Sequence, residues 1–140
     1  MKIEHALEIA APVARVWALT VAVEGWPAVT PTVTGVERLD AGPLQVGSRV
    51  RLEQPGQPPR VWTVTALEPE RRFAWATRML GVEMTGVHEL EGTERGTRNV
   101  LRVELRGWSS WLVGALLRVP IARAIAQENE GFRRAATAAD

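Results

Sequence analysis

The side chains best suited to moving a proton or orienting a ligand in this sequence are its two histidines, His5 and His88. An imidazole changes charge near neutral pH and can donate or accept a hydrogen bond. Both lie in stretches that alternate like β-strands. Ile3, His5, Leu7 and Ile9 share one face, and Val82, Met84, Gly86, His88 and Leu90 share another. A third run puts Thr97, Asn99, Leu101, Val103 and Leu105 on one face. If the turn at 92–96 closes a hairpin, His88 lies roughly across from Asn99, a polar pair on an apolar wall. Such a pair could hydrogen-bond a ligand carbonyl, or His88 could serve as acid/base. The plainer reading is an inner-wall histidine satisfied by the amide and holding register. That reading weighs more for His5, near a chain end. Trp62 and Trp75, on adjacent expected strands, could stack on a planar ligand or plug the core. Gly86 leaves the inner wall bare, either for a ligand or, preferably, to bend the sheet.

Other chemistries find no residues. A metal needs convergent ligands, and the two histidines are separated by an expected strand, with Glu89 and Glu91 facing away from His88. A serine triad needs a buried acid beside a histidine. The only aspartates are Asp40, in a turn, and Asp140, at the C-terminus. No glycine-rich loop opens a helix to hold phosphate, and the assigned inner strand faces carry no carboxylate pair. With no cysteine, disulfides and thiolate chemistry are excluded. No resident cofactor or metal is expected.

Composition narrows the partners. The 140 residues carry 17 basic and 16 acidic side chains, a net charge of +1, which gives no global argument for nucleic acid. Lys2 is the only lysine, and the arginines do not cluster in one run. The first ten residues are charged throughout and lack an apolar signal core, so a cytoplasmic protein is expected. Six tryptophans, two phenylalanines and no tyrosine leave indoles as the main aromatic handle.

The elements that must position these residues follow from periodicity. A first strand stops at Ala11-Pro12, where proline suits the first turn of a helix carrying Val13, Val16 and Trp17. Gly25-Trp26-Pro27 and Thr30-Pro31 break the pattern and bracket a second short helix. Strands are predicted over 32–38, 48–53, 60–67, 72–79, 82–90 and 97–106, separated by turns such as 54–59. Ser109 or Ser110 can cap a long helix reaching about residue 138, kinked at Pro120. Its second half shows an inner face of Ala122, Ile125, Asn129, Phe132 and Ala136.

The opening Ile9, Ala11, Pro12, Val16, Trp17, Trp26 and Pro27 resembles the START-like superfamily, the polyketide cyclase/dehydrase and lipid-transport group. Further matches are Gln54-Pro55-Gly56 with Trp62-Thr63-Val64, Glu68-Pro69, and Gly96-Thr97. The resemblance covers the whole chain as one domain, residues 1–140. It implies an α+β helix-grip fold, a curved antiparallel sheet of about seven strands around a long C-terminal helix. It also implies a cavity for a small hydrophobic molecule such as a lipid, polyketide or quinone. The inner faces then nominate His5, Trp62, Phe73, Trp75, Met84, Gly86, His88, Asn99 and Leu101, with Leu112 and Leu116 from the helix. The alternative it implies is a polyketide cyclase, aromatase or dehydratase resting on His88; a third reading is a protein-interaction module. Residues 108–122 hold a single charge, Arg118. That segment is either buried or a cavity lid that also touches a membrane or a second subunit.

Overall fold

In a computed structural model, residues 1–138 are described; Asp140 lies outside them. The order is β1 (Lys2–Ile9), α1 (Val13–Val21), a 3-10 turn (Val23–Gly25), α2 (Trp26–Val29), β2 (Gly35–Arg38), β3 (Arg49–Glu53), β4 (Arg60–Glu68), β5 (Arg72–Met79), β6 (Val82–Thr93), β7 (Gly96–Arg106) and α3 (Ser110–Thr137). The strands form one antiparallel sheet, β1-β7-β6-β5-β4-β3-β2. Because β1 closes onto β7, α1 and α2 bridge from one edge to the other, and α3 returns across the concave face. The α+β helix-grip expectation holds.

The alternation that predicts the strands also sets their faces. On β7, Thr97, Asn99, Leu101, Val103 and Leu105 are buried, while Arg98 and Arg106 are exposed. The β6–β7 hairpin turns between Thr93 and Gly96, tighter and further along than the sequence suggested. His88 therefore faces Leu101, and Asn99 faces Leu90. The expected His88–Asn99 pair does not form, because the register is displaced by one inward-facing position. No β-bulge marks Gly86, since β6 pairs with both neighbours without a register shift there. Among the described residues the sheet's one register shift lies in β4, between Val64 and Ala66.

Two glycines let elements approach closely. At Gly96 (φ 140°) a Cβ would sit 2.2 Å from the Ile9 carbonyl oxygen, and Thr97 Oγ1 donates to the Ala11 carbonyl at 2.9 Å. That pair explains the Gly-Thr motif: it seats the end of β1 against the start of β7. At Gly131 a Cβ would sit 2.2 Å from the Val29 carbonyl oxygen, so α3 packs on α2 only with the side chain gone.

The helix α3 continues through Pro120 to Thr137. Ser109 makes no side-chain cap; its hydroxyl donates to the Leu80 carbonyl at 3.1 Å, tying the helix start to the β5–β6 turn. Ile125, Asn129, Phe132 and Ala136 are buried, as the periodicity predicts. Among the described residues no helix is long and apolar enough to cross a membrane.

Candidate functional site: a cavity under the C-terminal helix

Trp26, at the first position of α2, is the hub of the core. Its ring lies 5.0 Å from Trp75, 5.3 Å from His88, 5.7 Å from Phe132 and 6.3 Å from Phe73. The indole Nε1 donates to the Thr20 carbonyl at 3.2 Å, so the ring is fixed by both its edge and its faces. Phe73 and Phe132 close the cage edge-on to His88 at 5.8 and 5.6 Å. The imidazole is 4% exposed, and its Nδ1 has no hydrogen-bond partner. Burial among aromatic rings disfavours the charged form and pushes the His88 pKa down to about 3. His88 is neutral at physiological pH, and the cage gives its Nδ1 no hydrogen-bond partner.

Beyond this cage the sheet and helix part, leaving a cavity of about 440 Å³. The sheet side is lined by Trp62, Trp75, Met84, Gly86, His88, Leu101 and Val103. A helical stripe of Leu117, Ile121, Ala124, Ile125 and Glu128 lines the other side. The spacing of four, three, one and three residues puts all five on one face of α3. The exposed turn residues Pro55, Gly56 and Gln57, with Leu80 and Pro120, form the rim. Gly86 makes room for an indole: a Cβ there would lie 3.3 Å from Trp75 Nε1 and 3.8 Å from Trp62 Cζ3. Trp62 and Trp75 tilt together at 5.7 Å, and Trp62 Nε1 is buried without an acceptor.

Of the residues nominated from sequence, Trp62, Trp75, Met84, Gly86, His88 and Leu101 line this cavity. Five do not. Phe73 is fully buried behind Trp26. Leu112 and Leu116 face outward, because the helix turns its Leu117–Ile121 side to the sheet. Asn99 and His5 belong to a separate polar cluster with Asn129. Asn99 Nδ2 donates to Asn129 Oδ1 at 2.9 Å, and Asn129 Nδ2 reaches His5 Nδ1 at 3.0 Å and the His5 carbonyl at 3.2 Å. These contacts fasten α3 to β1 and β7.

Glu128 was missed in sequence. Sorting carboxylates by strand face leaves out an acid supplied by the helix, although Glu128 follows Ala124 and Ile125 at the spacing of the apolar stripe. Burial pushes its carboxyl up to about 7, and a hydrogen bond with Thr32 only partly opposes this. Besides the lining residues Gln54, Gln57, Arg60 and Arg102, the cavity joins its apolar walls to an indole donor, a neutral imidazole and a carboxyl that ionises near neutrality. Among the described residues no cluster of three metal-ligating side chains exists.

A helix-grip domain with an apolar cavity and a few inward polar groups is a class of ligand-holding folds. Residues 1–137 match the family described as polyketide cyclase / dehydrase and lipid transport. The chain belongs to that family. No curated protein matches it. Among solved structures it is similar to the Zhui aromatase/cyclase from Streptomyces sp. R1128, with 23% identity, TM-score 0.69, and coverage of 96% of this chain and 94% of that one. It is also similar to hypothetical protein jhp0584 from Helicobacter pylori, with 11% identity, TM-score 0.83, and coverage of 97% and 88%. The di-domain aromatase/cyclase StfQ of the steffimycin pathway gives 13% identity and TM-score 0.78 over 96% of this chain. This chain spans only 50% of StfQ's length. At these identities the likeness concerns the fold.

Proposed function

We propose that the protein binds a small, mostly apolar, oxygen-bearing molecule in the cavity between the sheet and α3. The observation that carries this reading is the pairing of a cavity of about 440 Å³ with two buried polar atoms, Trp62 Nε1 and His88 Nδ1, that have no partner in the fold. A buried donor left unpaired costs roughly 1–3 kcal/mol, which a ligand oxygen beside the indole N–H recovers. The apolar walls supply affinity and the polar groups supply orientation. The test is a titration with a hydroxyanthraquinone as probe, followed by quenching of tryptophan emission. Ala124→Phe, which fills the cavity from the helix side, is expected to abolish saturable quenching while the folded state persists. Unchanged quenching in that variant overturns the reading.

Glu128 favours a second reading, in which the cavity also catalyses. A carboxyl half-ionised near neutral pH can take a proton from carbon next to a ligand carbonyl, while the Trp62 N–H stabilises the resulting enolate oxygen. The family description and the aromatase/cyclase neighbours support a polyketide-like substrate for such a step.

A further inference from the structure

The outer side of the same helix is apolar and uncovered. Trp108 is 85% exposed, Trp111 71%, Leu116 70% and Val119 64%, and Leu80 from the β5–β6 turn is 71% exposed. The turn and the helix start are in contact. A Cβ on Gly81 would lie 3.2 Å from Trp108 Nε1, and Ser109 holds the Leu80 carbonyl. These side chains therefore form one patch rather than scattered exposed residues.

The charge around the patch is mostly positive. Residues 108–127 contain Arg118 and Arg123, both exposed, and no acid. Arg78 and Arg106 lie two positions before Leu80 and Trp108. The acid nearest to them in the sheet register, Glu83, is paired across to both. The local balance is therefore positive.

We infer that this face docks on an anionic lipid surface, with Trp111, Leu116 and Val119 entering the interface and Arg118 meeting lipid phosphates. An exposed apolar helix face bordered by arginine, with indoles at its edge, has the chemistry of an interfacial helix. The apolar side chains leave water for the acyl boundary, and the arginines approach a surface of opposite charge. A second copy of this chain fits less well. A two-fold interface places the same patch on both sides, so its arginines would face a surface whose one neighbouring acid, Glu83, already lies between Arg78 and Arg106. Leu80 and Pro120 border the cavity as well, so docking would bring the cavity mouth to the lipid. The proposal stands on the exposed face and not on what fills the cavity.

The experiment is flotation of the full chain with vesicles of phosphatidylcholine alone and of phosphatidylcholine with phosphatidylglycerol, at low and high salt, with the mass in solution measured in parallel. The expected result is partition onto the phosphatidylglycerol vesicles that weakens with salt. Trp111→Ser combined with Leu116→Ser should lower that partition by at least about tenfold, and Arg118→Gln by about fivefold. All three positions are exposed, so the folding transition should be retained; Leu116→Ser alone serves if the pair misfolds. Failure to float with the phosphatidylglycerol vesicles overturns the proposal. So does binding that survives the double substitution, or a dimer that the double substitution dissociates.

Discussion

His88 and Glu128 occupy one cavity yet are displaced in opposite directions from their ordinary titration ranges. Burial holds the imidazole at about 3, so between pH 6.5 and 3 the unfolded chain binds a proton that the native chain refuses. Stability on this account falls as pH drops through that window. The Glu128 carboxyl, raised from 4.5 to about 7, keeps a proton that the unfolded chain has released. Its contribution is complete below pH 4.5, declines as pH rises to 7, and is flat above. Glu128→Gln should therefore raise stability by about 2 kcal/mol at pH 8 and leave it unchanged at pH 4, read by urea unfolding. His88→Leu keeps the aromatic cage filled and should flatten the loss between pH 6.5 and 3, while changing which ligands bind more than it changes stability at pH 7. A His88→Leu profile that parallels the parent below pH 6.5 would show that another group governs the acid limb. His88's inward direction was legible from strand alternation. Its isolation was not, because the cage comes from Trp26 and Phe132, residues distant in the chain.

At the scale of elements, α3 is positioned by specific contacts as much as by its apolar face. Asn129 reaches β1 through His5 and β7 through Asn99, and Gly131 allows α2 to approach. Asn129→Leu strands the Asn99 amide in the core and should cost about 2 kcal/mol; Asn99→Leu with Asn129→Leu should recover much of it, since both partners become apolar together. A single substitution no costlier than the double would mean the amide pair is not what anchors the helix. On the outer face of the sheet, Arg102 bridges Glu89, Glu104 at 2.8 Å and Glu4 at 3.5 Å, tying β6, β7 and β1 across their strands. The Arg102 hydrogen bond holds the Glu104 carboxyl below its ordinary value. Strand positions and inner faces could be read from period-two alternation, because most strands set an apolar side against a wetter one. Register could not. The hairpin between Thr93 and Gly96 is set by the close approach of Gly96 to Ile9, a contact across 87 residues of chain. The helix wall was misread for a related reason. The segment 108–122 is apolar on both sides, so its period does not say which side meets the sheet, and Leu117 and Ile121, rather than the expected Leu112 and Leu116, line the cavity.

For the molecule as a whole, the helix-grip architecture makes a cavity because the curved sheet and the helix lying across it part along their length. At the Trp26–Phe132 end aromatic rings fill the gap; toward Pro120 and Leu80 nothing does. The same helix then shows a cavity wall on one side and an exposed apolar face on the other. The fold was legible because its punctuation is local: Pro12, the breaks at Trp26-Pro27 and Thr30-Pro31, the turns between strands, and one long helical tail. The cavity's polar groups were only half legible, since strand residues declare their face by alternation whereas Glu128 is brought to the site by the helix docking over it. Ligand binding in the cavity is the central claim, and native mass spectrometry tests it most directly. The protein, isolated gently from the cells that make it, is compared with Ala124→Phe under identical ionisation. The account predicts a bound small molecule near one-to-one on the parent chain and its absence from the variant. The same adduct on both proteins, at the same occupancy, would contradict it.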